Sequence, residues 1–473
     1  MTAAQQVPRN EPGRRLGLGA SVALLLGNMV GVGIFLTPPE VAAATPGWAS
    51  YLGLWALGGL MAAAGAQVFA ELGILFPRAG GDYVFLDRAF GRPVAVSWGL
   101  LSVLGSFPGS IAALAIGAAR TLQGTRSGAW LVTPLVQVGS WTLAGQEILA
   151  LGVIAGVTLW NARGVPLASR IQQVLAWIPF AGFGGMALWA LGLAVARVAG
   201  AGEAPSIPDP PPSSQGTVPS LGALASAACG VFFTFSGWNV LTYVGGEVRR
   251  PHRTIPRAVV LSVSLVVGLY LVLNLAFLLT LSLEGLRGTG NAGVATARVL
   301  MGETGAEAFA LAMFLVILAG LNSTVMAGSR IAMAVGADGY LWPRLAEIHP
   351  VRETPAKALG AQAALAAALV LTGSFSFLIT LTGAVMILLS CVTVATLFVF
   401  RRRQGLRPPV RLPGYPWTAA FFLAGGILVL LVGMLSGGPW SLLGFAVPAA
   451  LVAALRLGNG GRPGSPSSEQ EAP

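Results

Sequence analysis

Glycines at positions 27, 31 and 33 interrupt the first long apolar segment of the chain. Each glycine costs a helix about 1 kcal/mol relative to alanine, so the segment predicts a broken helix. If the helix ends near Met29 and restarts near Ile34, carbonyl groups of one half and N–H groups of the other face the same gap. Carbonyls suit an ammonium group, and a helix N-terminus suits a carboxylate. Residues Gly27 to Phe35 therefore fit a small zwitterion such as an α-amino acid. Close helix packing at small residues is the alternative.

A second apolar run is interrupted about two hundred residues later, at Phe232-Phe233-Thr234-Phe235-Ser236-Gly237-Trp238-Asn239. Interrupted segments at corresponding positions of two halves are a sequence indicator of a transporter's midplane site. Phe233 and Phe235 could close over a ligand, or they could pack against lipid or the protein core. The two breaks together favour a shared binding site over packing alone.

The composition is that of a membrane protein. Of 473 residues, 55% are hydrophobic and 10% are charged, and the mean hydropathy is +0.76, whereas soluble proteins carry about 25% charged residues. The net charge of +11 does not indicate a nucleic-acid partner, because the arginines are spread over many loops. The sequence shows no metal-binding spacing of Cys or His and no Ser/His/Asp set at a span end. It predicts no cofactor, no metal and no enzymatic activity.

Uncharged runs of about 20 residues predict the membrane spans. About twelve are expected, within residues 16–39, 41–70, 93–119, 143–161, 171–196, 217–246, 258–283 and 308–329, with two each in 358–400 and 412–455. Residues 129–141 are expected to be an extracellular or interfacial piece. Most of the 28 Lys and Arg residues fall in predicted loops on the same side of the membrane as the N-terminus. Loops rich in Lys and Arg stay in the cytoplasm. Both termini are therefore predicted to be cytoplasmic.

Short motifs occur in order along the chain. They are Gly31-x-Gly33-Ile34-Phe35 with Pro38, Ala70-Glu71-Leu72-Gly73 with Pro77-Arg78-Ala79-Gly80-Gly81-Asp82-Tyr83, Gly237-Trp238-Asn239 with Glu247 and Ile255-Pro256-Arg257-Ala258, and Ser329-Arg330 with Asp338-Gly339-Tyr340-Leu341, Ile348-His349-Pro350 and Thr354-Pro355. Over about residues 16–435 this set resembles the amino acid–polyamine–organocation superfamily. It is most similar to the L-type amino-acid transporters and their bacterial relatives.

The resemblance implies an all-α integral membrane protein of the leucine-transporter type, with two inverted five-helix repeats and two extra helices. The expected segments are a cytoplasmic N-terminal tail (1–15), the first repeat (16–198), an extracellular loop (199–216), the second repeat (217–400), helices 11 and 12 (401–457) and a cytoplasmic C-terminal tail (458–473).

The resemblance also implies roles for site residues. The N–H groups of Val32 and Gly33 would hold the substrate carboxylate. The carbonyls of Met29, Phe233 and Ser236 would hold the ammonium, although Ser236 stands where a glycine is common. Phe233 would also gate the site, and Asn239 would lie beside it. The full predicted substrate-binding set is Met29, Val30, Gly31, Val32, Gly33, Phe233, Thr234, Ser236 and Asn239.

Charge bears on the substrate and on the gate. The two breaks contain no charged residue or histidine, and a charged substrate side chain would need a buried counter-charge. A neutral amino acid is therefore expected. Glu71, Glu247 and Arg330 lie at predicted inner helix ends, where they form an inner-gate ion-pair network or are simply solvated.

Two departures from the resembling family matter. Many of its members carry a lysine in the fifth helix, which suits proton coupling, whereas this chain has Pro179 there. Animal members bond a glycoprotein through an outer-loop cysteine. Cys229 and Cys391 both lie in apolar segments, so no disulfide-linked heavy subunit is expected.

The sequence thus predicts alternating-access transport of neutral L-amino acids across the plasma (inner) membrane, with exchange of one amino acid for another as the leading mode. The expected partners are the amino acid and membrane lipid. Proton-coupled uptake or export is the alternative mode, and a non-transporting amino-acid sensor is the alternative of another class.

Overall fold

Helix follows helix through the part of the chain that the computed structural model describes, which comprises residues 16–76, 81–123, 125–138, 141–164, 177, 180–192, 220–372, 375–403 and 414–436. The helices are α1 Leu18–Met29, α2 Gly33–Ala43, α3 Trp48–Leu75, α4 Asp82–Phe90, α5 Arg92–Leu101, α6 Phe107–Gln123, α7 Gly145–Ala162, α8 Phe180–Gly192, α9 Leu221–Phe235, α10 Val240–Tyr243, α11 Pro251–Arg287, α12 Ala292–Ala337, α13 Ala356–Thr372, α14 Phe375–Arg403 and α15 Trp417–Ser436.

Six helical segments are long and apolar enough to cross a membrane. They are Leu18–Ala43, Trp48–Leu75, Arg92–Gln123, Pro251–Arg287, Ala292–Ala337 and Val385–Arg402. Shorter apolar helices add Phe180–Gly192, Leu221–Phe235, Ala356–Thr372 and Trp417–Val432. The prediction of an all-α, multi-pass membrane protein is confirmed. The count of twelve, the inverted repeats and the segment boundaries stay predictions, and Pro179 and both predicted tails lie outside the described residues.

The long helices are not regular throughout. A π-helical turn, Ser102–Ser106, joins α5 to α6, and such turns occur frequently at functional sites. α11 has a non-helical residue at Ser282, and α12 has one at Gly302, where φ is +70°. The predicted seventh and eighth spans therefore lie inside helices that continue past a kink.

A β-hairpin is a departure from helical structure that sequence reasoning did not foresee. Strands β1 (Pro134–Val138) and β2 (Trp141–Ala144) pair antiparallel, with Val138 opposite Trp141, and an irregularity between Pro134 and Val136. The hairpin and the 3₁₀ turn Arg126–Val132 occupy the piece expected to lie outside the membrane. Alternation of β-branched and polar residues in a short segment favours such strands.

An aromatic cluster fixes the end of α9 within the bundle. Phe235 packs against Trp55 of α3 and Tyr270 of α11, with ring centroids 6.0 and 5.0 Å away, and all three side chains are fully buried. The Tyr51 hydroxyl donates to the Asn274 side chain and joins α3 to α11 again. The second break therefore begins from a rigid point of the core.

Candidate functional site

The two predicted helix breaks lie against each other. α1 ends at Met29 and α2 begins at Gly33, whereas α9 ends at Phe235 and α10 begins at Val240. Both helix breaks therefore lie at the positions where Gly31, Gly33 and Gly237 predicted them.

Glycine is required at two of the contacts between the breaks. A Cβ added to Gly33 would overlap the Thr234 hydroxyl and lie 2.9 Å from the Thr234 Cβ. Gly237 has φ of +106°, and an added Cβ there would lie 2.7 Å from the Asn28 carbonyl oxygen. Only a residue without a side chain allows the two backbones to approach this closely.

Side-chain hydrogen bonds tie the breaks together. The Asn28 amide donates to the Gly237 carbonyl at 3.0 Å, and the hydroxyls of Thr37 and Thr234 lie 3.1 Å apart. From α11, the Tyr270 hydroxyl donates to the Met29 carbonyl at 2.7 Å. The bonds to the Gly237 and Met29 carbonyls satisfy backbone groups that the breaks free, as a lipid environment requires.

Sequence reasoning missed Asn28 and Tyr270. Both are polar residues inside apolar runs, which is the signal that could have identified them.

A cavity opens beside the breaks. Of the predicted set, Met29, Gly31, Val32, Gly33, Phe233, Thr234, Ser236 and Asn239 line it. Val30 does not; it is buried in the hydrophobic core. The opposite walls come from the third, eighth and tenth spans and include Ser106, Phe107, Ser110, Thr324, Met386 and Ser390. The cavity walls therefore combine backbone polar groups with small hydroxyl side chains.

The start of α2 supplies the groups suited to a carboxylate. Gly33 is the first residue of α2 and lines the cavity. The first N–H groups of a helix have no partner within the helix and carry its positive dipole end. A carboxylate placed at Val32 and Gly33 would accept hydrogen bonds from these groups.

The carbonyls expected to hold an ammonium differ from one another. The Phe233 carbonyl already accepts from the Ser236 N–H at 3.1 Å and from the Ser236 hydroxyl at 2.6 Å. Among the described residues, the Met29 carbonyl accepts one hydrogen bond, from the Tyr270 hydroxyl, and a carbonyl oxygen has two lone pairs. The arrangement therefore favours Met29 over Phe233 as an ammonium ligand. The reason is Ser236, which replaces a common glycine and whose hydroxyl donates to the Phe233 carbonyl.

The two phenylalanines beside the second break differ in their surroundings. Phe233 is half-buried and lines the cavity, whereas Phe235 is in the core cluster with Trp55 and Tyr270. Of the two, Phe233 alone is placed to cover a ligand in this cavity.

The predicted inner-gate residues do not form a single network. Arg330 of α12 bonds Glu247 through Nε and Nη2, at 3.0 and 2.8 Å, and both side chains are almost fully buried. Glu71 of α3 instead pairs with Arg401 of α14, whose Nε lies 2.9 Å from Glu71 Oε1. Glu71 is therefore not joined to the Glu247–Arg330 pair as expected, because it pairs with a second arginine, Arg401, from a distant part of the sequence.

An acidic residue also lines the cavity. Asp82 begins α4 in the linker between the second and third spans, and its Oδ2 accepts from the Tyr243 hydroxyl at 2.6 Å. The breaks themselves are free of charge, as their sequences indicate. The whole cavity is not, because tertiary packing brings the linker to it.

Comparison with known proteins identifies the family of this chain. The amino acid permease family matches residues 16–451. The chain belongs to that family.

Individual relatives of this amino acid permease cover most of its length. The mouse Asc-type amino acid transporter 1 is 28% identical over 404 residues, which are 84% of this chain and 72% of the relative. The mouse b(0,+)-type amino acid transporter 1 is 26% identical over 442 residues, 91% and 84% of the two chains. The rat large neutral amino acids transporter small subunit 2 is 27% identical over 405 residues, 84% and 72%.

Two glycines of the first break provide a matched test of the site. In Gly33→Ala the added methyl group overlaps Thr234, whereas in Gly31→Ala the nearest atom is Leu114 Cδ2 at 3.9 Å. Overpacking costs about 1–3 kcal/mol, so Gly33→Ala should weaken amino-acid binding roughly 5- to 150-fold. Gly33→Val should abolish it. Binding is measured by titration of the purified chain. Wild-type affinity in Gly33→Ala would contradict the assignment of Gly33 to the site.

Proposed function

We propose that this amino acid permease exchanges neutral L-amino acids across the membrane by alternating access. The observation that carries the proposal is the meeting of the two helix breaks at one cavity. The α2 N-terminus suits a carboxylate and the Met29 carbonyl suits an ammonium. An α-amino acid presents these two groups on one carbon atom.

A neutral side chain fits the breaks, which hold no charged group. The names of the relatives agree, since one of them transports large neutral amino acids. Exchange is the preferred mode on family resemblance, and proton-coupled uptake or export is the alternative; Pro179 stands at the sequence position where many family members carry a lysine.

The hydrogen bonds of the site indicate which parts would move together. Asn28–Gly237 and Thr37–Thr234 join the first broken helix to the second. The cavity walls opposite them belong to α6, α12 and α14. Rocking of the two broken helices against these walls would open the cavity to one side and then to the other.

The chain would work without a disulfide-linked subunit, in the plasma (inner) membrane and with both termini in the cytoplasm. Cys229 is half-buried in α9 and Cys391 is buried in α14. Neither lies in a loop. One relative is named as a small subunit, so this part of the proposal needs its own test.

Reconstitution of the chain alone tests both proposals. Liposomes preloaded with unlabelled neutral amino acid should take up labelled amino acid faster than empty liposomes do. A panel of the twenty amino acids as competitors identifies the substrate. Binding without flux would instead indicate a sensor. Activity that appears only with an added, disulfide-linked second chain would contradict the proposal of an independent permease.

Phe233 is expected to act on transport rather than on stability. Phe233→Ala removes a half-buried ring that lines the cavity, so exchange should slow more than binding weakens. Phe235→Ala is the matched control, because it empties a fully buried core position and should cost about 3–5 kcal/mol of stability. Exchange rates, affinities and melting temperatures separate the two effects. An unchanged exchange rate in Phe233→Ala would remove its gating role.

The Glu247–Arg330 pair is proposed to close the cytoplasmic side. Glu247→Gln leaves a buried arginine without its counter-charge, which costs about 3–5 kcal/mol. Glu347→Gln breaks an exposed pair with Lys357 and should cost about 0–1 kcal/mol. Thermal unfolding and exchange are measured for both variants.

A double variant separates gating from stability at the same pair. Glu247→Gln with Arg330→Met removes both buried charges and should recover most of the stability without recovering exchange. Full recovery of exchange in the double variant would show that the pair only stabilises the fold.

A further inference from the structure

Asp82 is a buried carboxyl that faces the cavity with one oxygen unpartnered. Its relative exposure is 2%, and it lines the cavity together with both breaks. Oδ2 accepts from Tyr243, while Oδ1 has no hydrogen-bond partner among the described residues. A carboxylate buried in this way is costly, because half of its charge is left unsatisfied.

Hydrogen bonds connect this carboxyl to the second break. The Asn239 amide donates to the Tyr243 hydroxyl at 2.7 Å, and the Tyr243 hydroxyl donates to Asp82 at 2.6 Å. Asn239 immediately precedes α10 and lines the cavity. The protonation state of Asp82 is therefore linked to the second break, which is expected to move when substrate binds.

Burial raises the pKa of Asp82 to about 7, and the hydrogen bond from Tyr243 opposes this rise. The neutral acid is thus favoured when the group is kept from water. Anything that excludes more water from Oδ1 raises the pKa further.

The other charged groups around this linker are engaged elsewhere. On α5, Arg92 pairs with Asp338 at the end of α12 at 2.8 Å, and it lies 3.7 Å from Asp87 of α4 itself. The Tyr83 hydroxyl donates to Asp338 at 2.6 Å. Glu71 of α3 pairs with Arg401 of α14, and Glu247, in the turn that follows α10, pairs with Arg330 of α12. The remaining charged group of α4, Arg88, stacks on Phe76.

We propose that Asp82 is a proton-binding site linked to substrate binding. When an amino acid fills the cavity, Oδ1 takes one proton from solvent and becomes the neutral acid. When the cavity empties and is wetted, the proton returns to water. This inference rests on the proposed function. It states that the chain, which has Pro179 in place of a lysine, takes up one proton when it binds a neutral amino acid.

The sign of the pH dependence follows. Well below pH 7 the carboxyl is already protonated, so the affinity should not change with pH. Above pH 7 the empty site has lost the proton and must regain it on binding. The affinity should then fall by up to about tenfold per pH unit, the limit for one linked proton.

Titration calorimetry of the full-length chain tests the linkage directly. L-Alanine is the first probe, followed by the neutral amino acid that exchanges fastest in liposomes. Titrations in two buffers of different ionisation enthalpy report the protons taken up. We expect uptake approaching one proton per amino acid at about pH 8 and close to none at about pH 5.5. No uptake at the higher pH would overturn the proposal.

Three variants assign the proton to Asp82. Asp82→Asn keeps an acceptor for Tyr243 and should abolish proton uptake and the pH dependence of affinity. Glu40→Gln, at an exposed acid of α2 outside the cavity, should leave both unchanged. Tyr243→Phe removes the bond that lowers the pKa, so the pH midpoint should move upward. This third variant decides the matter even if Asp82→Asn fails to bind.

The remaining outcomes are also decisive. Retained proton uptake in Asp82→Asn, or an unmoved midpoint in Tyr243→Phe, would overturn the proposal. So would a change of substrate selectivity in Asp82→Asn without any wild-type proton uptake, since Asp82 would then contact the substrate side chain. Exchange measured at one fixed pH needs no linked proton. Loss of exchange would therefore reject the proposed function, whereas pH-independent binding would reject only this inference.

Discussion

The structure depends on one constraint, which is that backbone groups freed inside a membrane must find partners within the protein. Each of the two breaks frees such groups, and both breaks take partners from other segments. Asn28 reaches the carbonyl of Gly237, and Tyr270 reaches that of Met29. Ser236 binds back to Phe233. These hydrogen bonds stabilise the two broken helices against each other. Residues of both breaks also line the cavity.

Sequence predicts the breaks well because their cause is local. Glycine disfavours a helix, and the ends at Met29 and Phe235 lie beside Gly31 and Gly237, although α3 accommodates glycines such as Gly58 and Gly59 within a continuous helix. The partners of the breaks are not local. Tyr270 lies 241 positions from Met29, and the pairing of Glu71 with Arg401 spans 330 positions. Nothing in the spacing of Glu71, Glu247 and Arg330 distinguishes which acid meets which base, so the sequence could not predict that Glu71 pairs with Arg401.

Residue identity also changes the site in ways that position does not reveal. The family resemblance implies that the carbonyls of Met29, Phe233 and Ser236 accept hydrogen bonds from the ammonium, with Ser236 in place of a common glycine. The Ser236 hydroxyl occupies the Phe233 carbonyl, which a glycine could not do. Likewise Val30 belongs to the break in sequence but to the core in space. Side-chain contacts therefore reduce the number of residues in the two breaks that can bind substrate.

The acid in the cavity reconciles two observations that seem opposed. Breaks without charge favour a neutral substrate, while a buried carboxylate beside them would repel the substrate carboxylate and attract a cation. A neutral carboxyl removes the conflict, because it neither repels an anion nor demands a counter-charge. Burial of Asp82, with a single hydrogen bond from Tyr243, is the arrangement that makes the neutral form accessible near pH 7. Its position in a linker, rather than in a span, explains why a search of the breaks for charge did not find it.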